Sequence, residues 1–166
     1  MLLSKNTGDV NYELTECFIP QDIIDDKDLK EFSITLNELP KITVNNRVFI
    51  KVPCEYVRDK IVNYDEGKLM SDVVIHYPKL KLKYLISSES KVHFIEVVGK
   101  NVYVLVNEGE KVKSLNKIAY IVTGKREVRV VRSPFSGVII FIFYYPLHKP
   151  EKYVFVIVGE DLVRKV

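Results

Sequence analysis

Hydrophobic residues along this chain recur at every second position far more often than at every third or fourth, the mark of strands with one buried face. Leu80-Lys81-Leu82-Lys83-Tyr84-Leu85-Ile86 alternates cleanly. Ile42-Thr43-Val44 and Val48-Phe49-Ile50-Lys51-Val52 flank Asn45-Asn46-Arg47. Asparagine tolerates the positive φ of a tight turn, so this segment predicts a β-hairpin. Lys91 to Val98 and Val102 to Val106, joined by Gly99-Lys100-Asn101, read as a second pair of strands. Two stretches depart from the alternation and predict short helices. One is Gln21 to Phe32, opened by Pro20 with Asp22 in its first turn. The other is Cys54 to Tyr64, with Val57, Ile61 and Tyr64 on one face and Asp65-Glu66-Gly67 as its stop.

Val138-Ile139-Ile140-Phe141-Ile142-Phe143-Tyr144-Tyr145 is apolar without alternation, which predicts a strand covered on both faces. Core is the first reading of this strand. Contact between modules or a homodimer through Val138 to Tyr145 is the second, and Tyr144, Tyr145 and Tyr153 form a candidate aromatic surface. The polar break Ser87-Ser88-Glu89-Ser90 divides the chain into a mixed β-rich N-terminal module, residues 1–90, and a β-rich C-terminal domain, residues 91–166.

The densest motif content lies between Asn101 and Ile139. Glu108-Gly109-Glu110-Lys111-Val112 marks a turn into a strand, and Ser133-Pro134-Phe135-Ser136-Gly137-Val138 marks another, where Pro134 sets φ before the Gly137 turn. Between them Thr123-Gly124-Lys125-Arg126 has the composition of a hairpin tip. Gly109, Glu110, Val112, Ile118, Ser133, Pro134, Gly137 and Ile139 resemble the pattern of biotinyl and lipoyl carrier domains, over about residues 92 to 160. Lys125, seven positions beyond Ile118, stands where that family carries its modified lysine. The resemblance implies a barrel-sandwich hybrid fold and, at Lys125, attachment of biotin or lipoate. The tip departs from the family pattern: Lys125 lies between Gly124 and Arg126, without the flanking methionines of biotinyl domains or the acidic residue of lipoyl domains. Leu115 replaces the family's second turn glycine, the Lys125 to Pro134 interval is one residue longer, and Phe143 to Pro150 stands in place of a repeated Gly-Asp turn. As a whole, the chain resembles an archaeal family of small uncharacterised proteins that join a mixed N-terminal segment to such a domain.

Net charge is only +3, but its distribution is uneven. Residues 1–31 are acidic, whereas Lys111, Lys113, Lys117, Lys125, Arg126, Arg129 and Arg132 are opposed only by Glu127. This basic stretch suits an acidic partner, with a protein expected ahead of nucleic acid and solvated strand charge as the plain alternative. Cys17 and Cys54 are far apart and outside any Cys-x-x-Cys spacing, so two free buried thiols are expected. His76, His93 and His148 have unrelated spacings, and Asp22, Asp25, Asp26 and Asp28 lack the glycine of a calcium loop, so no metal site is expected. Nucleophile-elbow, phosphate-loop and dinucleotide fingerprints are absent. With no apolar run approaching a membrane span and no signal-like start, a cytoplasmic protein is expected. A single glutamine, Gln21, and no tryptophan suit a thermophile.

The fold expected is therefore mainly β: an N-terminal module with one or two short helices packed on a biotinyl/lipoyl-like barrel-sandwich hybrid. The function expected is non-enzymatic binding or scaffolding by a degenerate carrier-like domain, with Lys111, Lys113, Lys117, Arg126, Arg129 and Arg132 facing an unknown protein partner. The alternative is a carrier subunit of a multi-component acyl- or carboxyl-transfer enzyme, modified at Lys125.

Overall fold

A computed structural model describes residues 14–24, 26–31 and 39–166. Strands dominate it, and the described chain forms two compact units, one of residues 14–91 with 161–166 and one of residues 92–160. The first unit is built on an antiparallel six-stranded sheet. Its strands are β1 (Glu16–Pro20), β2 (Lys41–Val44), β3 (Arg47–Val52), β6 (Val73–Tyr77), β7 (Leu82–Ile86) and β15 (Val163–Lys165), in the order β15-β7-β6-β1-β3-β2. A small hairpin of β4 (Val62–Asn63) and β5 (Lys68–Leu69) stands apart.

The expected hairpin at residues 42–52 forms as β2 and β3, with Val44 paired to Arg47. Asn45 and Asn46 have φ of 51° and 64°, the pair of left-handed residues that a two-residue turn needs to match strand twist. Phe18, Phe49, Val74 and Leu85 close a core against this sheet.

The helical expectations are met in part. Gln21–Ile23 is a single 3-10 turn, and α1 spans Asp26–Glu31, with Phe32 outside the described residues. Helix α2 (Cys54–Tyr56) continues as a π-helical turn, Val57–Ile61, whose Val57 and Ile61 are buried. Tyr64 does not join that face: the chain is already extended at Val62, and Tyr64 sits exposed in the β4–β5 turn. Asp65-Glu66-Gly67 thus turns a hairpin instead of stopping a helix, Gly67 (φ 65°) donating its N–H to the Asn63 carbonyl at 2.9 Å.

Cys17 and Cys54 are joined in a disulfide, which corrects the expectation of free thiols. The reason is register. Cys17 lies opposite Val52 in the β1–β3 pair, and the chain turns at Pro53 so that Cys54 returns over β1, at a Cα separation of 5.3 Å.

The second unit has a four-stranded sheet, β10 (Lys111–Val112), β13 (Gly137–Tyr145), β14 (Glu151–Val158) and β8 (Val92–Gly99), in that order. Its other sheet has three strands, β12 (Val128–Arg132), β11 (Lys117–Val122) and β9 (Asn101–Val104), in that order. Val97, Val102, Ile118, Ala119, Ile139, Phe155 and Ile157 fill the core between the sheets. The expectation that the strands flanking Gly99-Lys100-Asn101 pair with each other is overturned. β8 pairs with β14 and β9 with β11, so this turn carries the chain from one sheet to the other. In β13 residues 137–141 are all buried, but Ile142 and Tyr145 are half-buried and Tyr144 is exposed, so the expected cover on both faces is met only over the first part of the run. Residues 163–165 leave this unit, because β15 pairs with β7 through Val163 and Ile86.

Candidate partner-binding face

Lys125 stands at the tip of the β11–β12 hairpin, exposed together with Gly124, Arg126 and Glu127. The Thr123 N–H donates to the Glu127 carbonyl and the Arg126 N–H to the Thr123 carbonyl, both at 2.9 Å. Thr123 Oγ1 accepts from the amides of Lys125 (3.3 Å) and Glu127 (3.1 Å). Arg126 takes φ 65°, giving a three-residue loop of a turn followed by a left-handed residue. A Cβ built on Gly124 would meet no atom within 4 Å, so the tip is open on that side.

The basic residues do not form one cluster. Lys117 and Arg132 face each other across the hairpin, beyond a bulge between Lys117 and Ala119, and Arg132 also donates to the Leu115 carbonyl at 3.0 Å. Arg129 lies opposite Ile121, and Lys125 and Arg126 occupy the tip. Lys113 is exposed in the turn that precedes β11. Lys111 belongs to the other sheet, on β10, where it binds Glu160 at 2.8 Å. That ion pair holds the exposed Glu160 carboxyl below its usual range.

An apolar row lies between these cations. Tyr120 is opposite Tyr103 on β9 and Val130 on β12, so the three side chains form one row across the sheet. The tyrosine rings stack at 5.0 Å with planes 19° apart. Val102, Val104, Ile121 and Val131 point the other way, into or against the core. Val128 and Val130 remain 62% and 47% exposed, so this outer face is apolar and aromatic in its middle, with cations at its rim. The alternation Val128-Arg129-Val130 was its sequence signal, whereas nothing local could have placed Tyr103 beside Tyr120.

The tyrosine surface expected from β13 and β14 is smaller. Tyr144 and Tyr153 lie with ring centroids 4.8 Å apart, but Tyr153 is buried and only Tyr144 is exposed. Lys152 caps Tyr145, its ammonium 5.1 Å from the ring centre.

Among the described residues no group of three or more histidine, cysteine or acidic side chains is placed to hold a metal ion. His93 stacks on Phe135 at 4.1 Å, and His148 lies within hydrogen-bond distance of the Pro150 carbonyl at 2.8 Å. His76 is 2.7 Å from Glu16, whose other oxygen accepts from Lys51 at 2.7 Å. The Lys51 and His76 hydrogen bonds, in that order, hold the Glu16 carboxyl below its usual value. No helix among the described residues is long and apolar enough to cross a membrane.

Comparison with known proteins agrees with the archaeal resemblance. An uncharacterized protein, MJ0859, of Methanocaldococcus jannaschii is 28% identical over 117 residues, covering 69% of this chain and 71% of its own length. The family DUF2118, described as an uncharacterized protein conserved in archaea, matches residues 28–160, and the chain belongs to that family.

Proposed function

We propose that residues 92–160 form a carrier-like barrel-sandwich hybrid that serves as a non-enzymatic binding or scaffolding module. In this reading the β11–β12 hairpin offers Lys117, Arg126 and Arg132 beside the tyrosine row, with Lys113 from the turn before β11 and Arg129 from the reverse side of β12, to an acidic protein partner. Support for the fold comes from two sheets wrapped around one core and from the turn residues at both ends of the repeat. Gly109 has φ 89°, and its N–H donates to the Ile139 carbonyl at 2.7 Å, tying the first turn to the strand that follows the second. The observation that carries the binding reading is the row Tyr103, Tyr120 and Val130, left half-buried or exposed between Lys117 and Arg132 at one end and the Lys125-Arg126 tip at the other. Apolar centres with charged rims are how proteins meet proteins. Lys111, on β10 of the other sheet and tied to Glu160 in the 3-10 turn after β14, stands outside this face and drops out of the proposal.

A second reading, a carrier modified at Lys125, is favoured by one observation: the lysine projects from the exposed end of a hairpin. Lys125 would hold biotin or lipoate through its side-chain nitrogen, and the group would supply carboxyl or acyl carriage. The Gly-Lys-Arg tip offers a ligase neither flanking methionine nor a preceding acid. Intact mass of the protein from its native host, beside that of Lys125→Arg, separates the readings. The binding module predicts an unmodified chain of 19.3 kDa, and an adduct that disappears in the variant establishes the carrier.

A further inference from the structure

We infer that the outer edge of β12 is a docking strand that takes up an extended, acidic polypeptide as an added strand of the three-stranded sheet. This inference rests on the reading of the hairpin as a binding face and names its partner chemistry. Among the described residues β12 pairs on one side only, with β11. The Thr123-to-Glu127 hydrogen bond sets the phase of that ladder. Antiparallel pairs alternate between bonded and non-bonded, so Arg129 and Val131 are bonded to β11, and Val128 and Val130 turn both N–H and C=O to the open edge.

Exposed edges invite pairing, and proteins guard them with charge, prolines or bulges. Here the guard is one-signed. Lys125, Arg126, Arg129 and Arg132 are opposed only by Glu127 over the tip and strand, so a second copy laid on the same edge meets like charge. An acidic strand meets the opposite. The backbone also discriminates by chemistry, because the outward edge of Val128 and Val130 presents donors and acceptors together: a peptide strand pairs both, whereas a phosphodiester, which only accepts, leaves the carbonyls without donors. A peptide alternating apolar and acidic residues fits both faces at once. Its apolar side chains lie beside Val128 and Val130, and its carboxylates lie beside Arg129 on the opposite face.

The test is an amide-resolved titration of the full chain with an octapeptide of alternating valine and glutamate. Its controls are the valine–lysine analogue and a single-stranded oligonucleotide. The expected result is slowed exchange at the Val128 and Val130 amides with the glutamate peptide alone, and weakening with salt. Val130→Pro deletes an outward N–H that β11 does not use, and it is expected to weaken binding about tenfold, as is Arg129→Glu. Binding that resists Val130→Pro but yields to Arg129→Glu overturns the docking strand and leaves the basic binding face standing. Equal binding of the lysine peptide overturns both, and preferential oligonucleotide binding replaces the peptide partner with nucleic acid. Protection is read on the unaltered chain, so absence of slowed exchange there overturns the inference even if the proline variant does not fold.

Discussion

Leu115 shows what a single residue reveals about its turn. Lys113 to Asn116 is closed by the Asn116 N–H on the Lys113 carbonyl at 3.0 Å, with Leu115 at φ 74°. This is the third place of a turn that demands a left-handed residue, which is why the carrier pattern has glycine there. Leu115 is 67% exposed, so its side chain gains little burial in return. Leu115→Gly is expected to raise unfolding free energy by about 0.5–1 kcal/mol in a denaturant titration, the relief of strain outweighing the added freedom of the unfolded chain. Gly137 poses the opposite case. A Cβ there would run into the Val158 carbonyl on β14 and come within 3.1 Å of Ile157, so Gly137→Ala is expected to lower stability by about 1–3 kcal/mol. Glu16 adds a pH dependence. Its carboxyl is held below the ordinary value of 4.5 by Lys51 and then His76, so the stabilisation is complete above that value and is lost as pH falls through the lower folded value. The thermal midpoint is expected to drop on acidification below about pH 4.5, and Glu16→Gln to flatten that part of the profile. Gly137 and Leu115 could be singled out in the sequence because turn chemistry is local. The Lys51-Glu16-His76 network could not, since its members come from three strands far apart in the chain.

At the scale of elements the same division holds. The β2–β3 hairpin was legible because Asn45 and Asn46 encode their own turn. β8 and β9 look like a hairpin by the same signs, yet Gly99 at their junction faces Ile121 of β11, and the two strands separate into different sheets. Packing decided there, not the turn. The disulfide was hidden for a related reason, since only the pairing of β1 with β3 brings Cys17 and Cys54 together. It closes a sequence separation of 37 residues, and the chain-entropy estimate for a loop of that length is about 4 kcal/mol. Chemical denaturation with and without reductant is expected to differ by about 2–4 kcal/mol. Such a bond inside a cell is the exception outside hyperthermophiles, so it bears on the environment in which the protein works.

At the scale of the whole molecule, alternation along the chain foretold a mainly β protein, and the polar segment near Ser87 to Ser90 lies next to the division at Lys91 and Val92. Three alternating positions at Val163 to Lys165 do not say which sheet they join, and in the fold they pair with β7. Their pairing has a consequence for the architecture of the chain. Ile86 and Val163 are the first rungs of an antiparallel ladder that continues through Leu85 with Arg164 and Tyr84 with Lys165. Residues 92–160 therefore occupy the position of a hairpin loop and enter and leave the first unit at neighbouring points. Among the described residues the connectivity is that of an insertion, with residues 92–160 leaving the other unit after Lys91 and rejoining it at Asp161. Joining Lys91 directly to Asp161 is accordingly expected to leave an autonomous six-stranded protein with its disulfide, whereas a simple truncation after Lys91 would strip β15 from β7. Circular dichroism and denaturant titration of the two shortened chains would distinguish a host that closes over the excision from one that needs its guest to fold.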